Sequence, residues 1–238
     1  MSFVLCVGVA FSEDSPVIPV PDKAEWASLF EGIKSSQASA DSPRLQRVFA
    51  IQIDTAAKGI SFFTTPKAED GYEPGKKETV RQRTNDFLEQ YKLQVAINAD
   101  FFAIPKGEKY ATPGIADLQG LTISEGNVVS LPDKKFAAVF RVSKDGKVHI
   151  ENVSDENKDF SDTVTAVAGT SIILRGGKAV PLSGTDIHPR TLVGISQDER
   201  YVILLVIDGR RKGHSNGATL NESAQWLQYF GAWAGLNL

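Results

Sequence analysis

Three short segments set side chains able to do chemistry at the ends of apolar runs. Ala96-Ile97-Asn98-Ala99-Asp100-Phe101-Phe102 closes one run with an amide and a carboxylate two residues apart, hence on one face of an extended chain. Ile187-His188-Pro189-Arg190-Thr191 sets an imidazole and a guanidinium just before a second run. Ile207-Asp208-Gly209-Arg210-Arg211 sets a carboxylate and guanidiniums just after a third, and a turn-rich loop with His214, Ser215 and Asn216 follows. Polar groups at strand ends are held by rigid elements, as a binding or catalytic constellation requires. Two carboxylates, an amide and the guanidiniums of Arg190 and Arg210 suit an anionic substrate that also carries hydroxyls, because a planar guanidinium fork matches phosphate oxygens bidentately.

Each group also has a plainer reading. Asp208-Gly209 is a common turn dipeptide. Arg190 could pair with any surface carboxylate, and Asn98 could bond backbone at a strand end. Loop histidines such as His188 and His214 are more often solvated than catalytic, and His149 has no assigned role. No nucleotide-phosphate loop, glycine-flanked nucleophilic serine or paired-His zinc helix competes. Gly169-Thr170-Ser171 is a weak nucleophile signal.

The positioning elements are mostly strands. Val48 to Asp54 reads as a strand buried on both faces, and Ile60 to Thr64 and Val95 to Ile97 as short strands. Four hairpins are expected. Their turns are Glu125-Gly126-Asn127, Lys144-Asp145-Gly146, Arg175-Gly176-Gly177 (between Ala166 to Leu174 and Lys178 to Pro181) and Gln197 to Arg200. Tyr201 to Ile207 is a continuous aliphatic run and reads as a central strand. Trp26, Leu29, Phe30 and Ile33 recur at i, i+3, i+4, i+7, which predicts a helix over Asp22 to Gln37. Thr84 can cap a second helix running through Tyr91. Thr219-Leu220-Asn221-Glu222 is a capping box opening a third, stopped by Gly231. The expected class is α+β: a single strand-rich domain with a mixed or antiparallel sheet and two or three flanking helices.

The 238 residues carry 26 Lys and Arg against 29 Asp and Glu, a net charge of −3. Such a balance gives no reason to expect nucleic acid as partner. A single cysteine, Cys6, excludes an intrachain disulfide and a Cys-based zinc site. Residues 1–12 hold a short apolar run, Phe3 to Phe11, which reads as a signal-peptide remnant or as a buried first strand. It is too short to span a bilayer, so no stable membrane insertion is expected. Residues 13–43 read as a proline-rich linker and the first helix, and 44–238 as the main domain. The signal reading places the protein outside the cytoplasm, secreted or periplasmic.

At the polar segments the sequence resembles the phosphodiester glycosidase family. Ala96 to Phe102 is similar to an A-I-N-G-D-F-F strand end, with Ala99 where the family often has Gly. Gly120 to Gly126 resembles its glycine-bounded hairpin, and Ala166 to Gly177 its strand with an early Gly, here Gly169. His188 to Gly194 resembles its P-R-T-A-(I/V)-G segment. Ile207 to Leu238 resembles its V-D-G-R to A-x-N-L region. The resemblance runs from about Val48 to the end. Family members continue with D-G-G-G-S-S, so the domain is expected to lack its C-terminal strands.

The resemblance implies hydrolysis of the bond between a sugar's anomeric carbon and a phosphodiester, through an oxocarbenium-like transition state stabilised by a carboxylate. Arg190 and Arg210 would hold the phosphodiester. Asp208 or Asp100 would act as base, nucleophile or electrostatic stabiliser, and His188 as a general-acid candidate. Asn98, Thr191, Gly169 and His214 would contact substrate. The resemblance names no definite cofactor; Asp100 and Asp208 could alternatively bind a divalent cation. Two other readings stay open: a non-catalytic secreted glycan-binding module, and a metal-dependent phosphodiesterase.

Overall fold

The computed structural model describes residues 17–20, 23–153 and 159–238. The chain opens with β1 (Ala27–Phe30), β2 (Ile33–Ala40) and β3 (Gln46–Asp54). After a long loop come β4 (Thr79–Arg81), the helix α1 (Thr84–Gln90), β5 (Phe101–Ala103) and β6 (Gly114–Gln119). Two hairpins follow, β7 (Thr122–Ser124) with β8 (Asn127–Ser130), and β9 (Ala138–Ser143) with β10 (Val148–Asn152). Next are β11 (Thr163–Gly169), β12 (Ser171–Arg175) and the short β13 (Lys178–Ala179). The last elements are β14 (Arg190–Ile195), β15 (Tyr201–Ile207), the helix α2 (Leu220–Tyr229) and β16 (Ala234–Asn237).

An eight-stranded sheet has the order β1-β2-β3-β15-β14-β16-β12-β13, a five-stranded sheet β10-β9-β11-β7-β8, and a small one β4-β6-β5. Every pairing among the described strands is antiparallel. The aliphatic run Tyr201 to Ile207 is indeed central, and the pleat explains its composition. Ile203, Leu205 and Ile207 enter the core beneath α2, with Trp226, Leu227 and Phe230. Val202 and Leu204 enter the second core, against Phe140, Val142 and Val167 of the five-stranded sheet. Each such fully buried aliphatic side chain stabilises the fold by about 1.5–3 kcal/mol. The layers are therefore α2, the large sheet and the five-stranded sheet. Sheet dominates, with two helices among the described residues.

The capping box forms as expected: Glu222 N–H donates to Thr219 Oγ1 at 3.2 Å, and Thr219 N–H donates to Glu222 Oε2 at 2.9 Å. Thr84, by contrast, is the first helical residue, and the N-cap is Arg83 with no side-chain cap bond.

Other expectations fail. The helix expected over Asp22 to Gln37 is absent from its described part: from Ala27 the chain forms a hairpin, β1 with β2, turning at Glu31-Gly32 where Gly32 has φ 73°, and Asp22 lies outside the described residues. Two antiparallel strands with a tight turn can satisfy the same apolar spacing, and pairing of β2 with β3 along its whole length decides the matter. Ile60 to Thr64 and Val95 to Ile97 form no strand; both line a cavity instead. Ala166 to Leu174 is interrupted at Thr170, where the chain leaves the five-stranded sheet and enters the large one. Residues 17–20 have no regular structure, yet Ile18 is buried and donates its N–H to Gln225 Oε1 at 2.9 Å. Residues 1–12, with Cys6, lie outside the described residues. Among the described residues no helix is long and apolar enough to cross a membrane.

Candidate functional site

The register brings the expected polar segments to one end of the large sheet. Arg190 pairs with Ile207, Ile207 with Val48, and Leu192 with Asn237, while Ser171 also pairs with Asn237. Arg190, Thr191, Asp208, Leu238 and Thr170 therefore share that end. The pleat then divides them. Leu192 lies in the α2 core and Val193 in the inter-sheet core, so Arg190 and Thr191 point to opposite faces.

On the inter-sheet face, Thr191 Oγ1 donates to Asn98 Oδ1 at 2.8 Å. Asp100 Oδ1 accepts from Ala168 N–H at 2.7 Å. Gly169 follows, where an added Cβ would stand 2.2 Å from the Asn237 carbonyl oxygen, so no side chain is tolerated at the crossing between sheets. Asn237 is buried, donates Nδ2 to Thr170 Oγ1 at 2.8 Å, and leaves its Oδ1 without a partner. Asn98 and Asp100 line a cavity of about 340 Å³ between the two sheets, together with Thr64, Phe62, Val193 and Arg81. That is the low end of the ~300–1,000 Å³ range of ligand pockets.

Burial pushes the Asp100 carboxyl up to about 7. The Ala168 N–H and the nearby Thr122 hydroxyl pull the other way, and the charge of Glu78 adds to the rise. No ion pair to Asp100 forms among the described residues. Its backbone is left-handed, with φ 54°. For a residue with a Cβ this costs about 1–2 kcal/mol, and the Ala168 bond helps hold it there.

On the other face and around the sheet end lies a charged rim. Arg190 Nε donates to Ala218 O at 3.0 Å and Nη2 to Asp186 O at 2.8 Å. Burial lowers the Arg190 pKa, Asp186 opposes the shift, and the Arg210 charge adds to it, so the two guanidiniums are electrostatic neighbours. Arg210 is exposed, has φ 58°, and lies 3.0 Å from His188 Nδ1. Asp208 Oδ2 pairs with Arg211 at 2.7 Å and His214 Nε2 at 3.2 Å, and Oδ1 accepts from Gly209 N–H at 2.8 Å. Partial burial opposes ionisation of Asp208, but the Arg211 and Gly209 hydrogen bonds and the Arg211 and His214 charges outweigh it and hold its pKa below the ordinary value. Gly217, at φ 104°, lets the 208–217 turn close on His188, whose carbonyl oxygen would stand 2.4 Å from an added Cβ.

The structure thus brings Asn98, Asp100, Thr191 and Gly169 together, and separately His188, Arg190, Asp208, Arg210 and His214. Among the described residues no group of three or more His, Cys, Asp or Glu could hold a metal ion.

A family model for phosphodiester glycosidase matches residues 91–238. The chain belongs to the phosphodiester glycosidase family. Two solved structures share the fold of this family member. A crystal structure of a hypothetical protein from Synechocystis is 15% identical with a TM-score of 0.62, covering 92% of this chain and 58% of that one. This phosphodiester glycosidase chain therefore spans a little over half the length of that structure. The zebrafish N-acetylglucosamine-1-phosphodiester alpha-N-acetylglucosaminidase catalytic domain, auto-inhibited by its pro-peptide, is 19% identical with a TM-score of 0.62, covering 91% and 74%. No curated protein sequence matches.

Four groups around this end of the molecule escape sequence reading. Glu78 is buried, with its carboxylate accepting from Gly75 and Leu118 N–H at 3.0 and 2.9 Å. Thr122 and Asn237 are buried polar residues inside apolar strands, a combination that is itself a signal. Arg81 sits in a polar stretch and carries no local signal.

Proposed function

We propose that this phosphodiester glycosidase hydrolyses a sugar 1-phosphodiester at the end of the large sheet. The observation that carries the reading is the Thr191–Asn98 hydrogen bond. It joins the two polar segments beside Asp100, a carboxyl held near neutrality. Such a group holds a proton for part of the population at pH 7 and can give or take one there. Asn98 and Thr191 present hydroxyl and amide groups to the sugar. Arg190, Arg210 and His188 offer their charge to the phosphodiester at the rim. Asp208 acts by fixing Arg211 and His214, and its low pKa makes it a poor proton donor. The proposed setting remains secreted or periplasmic.

The test is hydrolysis of methyl phosphodiesters of glucose, mannose and N-acetylglucosamine 1-phosphates in oxygen-18 water. Label in the sugar is the expected result. Label in the phosphate overturns glycosidic cleavage in favour of a phosphodiesterase. Saturable binding without turnover by any of the three leaves a glycan-binding module.

A further inference from the structure

The cavity between the sheets has an uncompensated cation on its wall. Among the described residues Arg81 is the single basic and Asp100 the single acidic side chain lining it. Arg81 forms no ion pair within the described residues. Its Nε donates to Ala111 O at 2.9 Å, and Nη2 bonds the same oxygen. Its guanidinium carbon sits 4.1 Å from the Tyr110 ring centroid and 5.3 Å from that of Phe102. These contacts fix the plane of the fork while leaving one nitrogen unused: Nη1 is buried and has no hydrogen-bond partner. A buried donor without an acceptor is costly, more so on a charged group. The rest of the wall is largely apolar, with Phe63, Phe87, Leu93 and Ile97.

We propose that Arg81 binds an anionic oxygen, carboxylate or phosphate, of a ligand whose apolar body fills the cavity beside Asn98. A guanidinium already held in plane needs little side-chain ordering on binding, and a small shift of the wall that covers Nη1 opens its spare N–H to such an oxygen. The aromatic and aliphatic wall then selects an amphiphilic anion over a free inorganic one. The site goes beyond the hydrolase reading: Arg81 precedes the residues matched by the family model, and binding there requires no turnover.

Titration calorimetry of the full chain with octyl phosphate, octanoate, octyl glucoside and inorganic phosphate tests it. Octyl phosphate or octanoate should bind, with the tighter of the two naming the headgroup. Arg81→Gln should weaken that binding at least tenfold, about 1.4 kcal/mol. Arg190→Ala should leave it unchanged. Arg81→Lys, which keeps the charge and loses the fork, should fall between. Ala96→Phe, which fills the cavity without changing Arg81, should abolish binding, and parental circular dichroism and thermal unfolding in both variants exclude misfolding as the cause. Four results overturn the proposal: neither amphiphile binds, inorganic phosphate or octyl glucoside binds as well as the amphiphilic anions, Ala96→Phe still binds, or Arg190→Ala weakens binding while the Arg81 variants do not. Loss of sugar phosphodiester hydrolysis with Arg81-dependent binding retained would fail the hydrolase reading alone.

Discussion

Asp100 and Asp208 begin as the same carboxyl, each just beyond an apolar run at one end of the same domain, and finish on opposite sides of their ordinary pKa. Asp100 faces the space between two sheets, accepts one backbone N–H and has no cation partner among the described residues, so burial raises it to about 7. Asp208 sits at the rim, where Arg211, His214 and Gly209 N–H hold it ionised. Groups pushed apart in this way mark a division of labour. The pleat makes the division: one residue step, from Arg190 to Thr191, moves a side chain from one face of the sheet to the other.

The sharpest break in this contrast is Asp100→Asn. Asparagine can keep the bond from Ala168 and loses the exchangeable proton. We expect kcat to fall about 10²–10⁴-fold, with disappearance of the kinetic pKa near 7 from the pH profile. Full kcat in the variant, or an unchanged profile, would assign the chemistry to the rim. Next in size is Arg190→Ala. Removing a guanidinium that bonds two backbone carbonyls and neighbours Arg210 should cost about 2–3 kcal/mol in kcat/KM. Lysine should not rescue it, because a single ammonium cannot reproduce the fork. Rescue by lysine would reduce Arg190 to a point charge.

The same two carboxylates should also differ in how pH acts on stability. Between the ordinary carboxyl value of 3.8 and about 7, folded Asp100 keeps a proton that the unfolded chain has released. Stability from this group is complete below pH 3.8 and is lost as pH rises through that window. Urea unfolding should show Asp100→Asn stabilised relative to the parent at pH 8 by up to about 2–4 kcal/mol, and near parity at pH 4. A difference independent of pH would contradict the burial argument.

What the sequence makes legible follows the range of the forces involved. The hairpins at Asp145-Gly146 and Glu125-Gly126, and the Thr219 capping box, are set by neighbouring residues and appear as expected. The spacing of Trp26 to Ile33 misleads because Gly32 turns the chain and β3 supplies pairing partners far along the sequence. Val95 to Ile97 has strand composition but spends its side chains on the cavity wall. Asn98, Asp100, His188, Arg190, Thr191 and Asp208 are visible as polar breaks at the ends of apolar runs. Their separation into two faces depends on the register of β14 against β15 and β16, which short-range pattern does not encode. Arg81 depends on Tyr110, Phe102 and Ala111, which the fold brings to it.

Asp208→Asn should give the smallest effect and the one most dependent on conditions. Its partners are partly exposed, with 62% relative exposure for the Arg211 side chain and 42% for His214. Such pairs contribute about 0–1 kcal/mol in water. Because the folded pKa lies below the ordinary value, that contribution is present above the ordinary carboxylate range and is lost as pH falls through it. Salt should erase it, since the screening length at 1 M is about 3 Å. Equilibrium unfolding of Asp208→Asn at neutral pH should therefore show a small destabilisation at low ionic strength and none in 1 M sodium chloride. A loss that persists in high salt would mean that the Gly209 N–H bond, which folds the turn against Pro189, outweighs the charges, and that Asp208 is held as a turn residue.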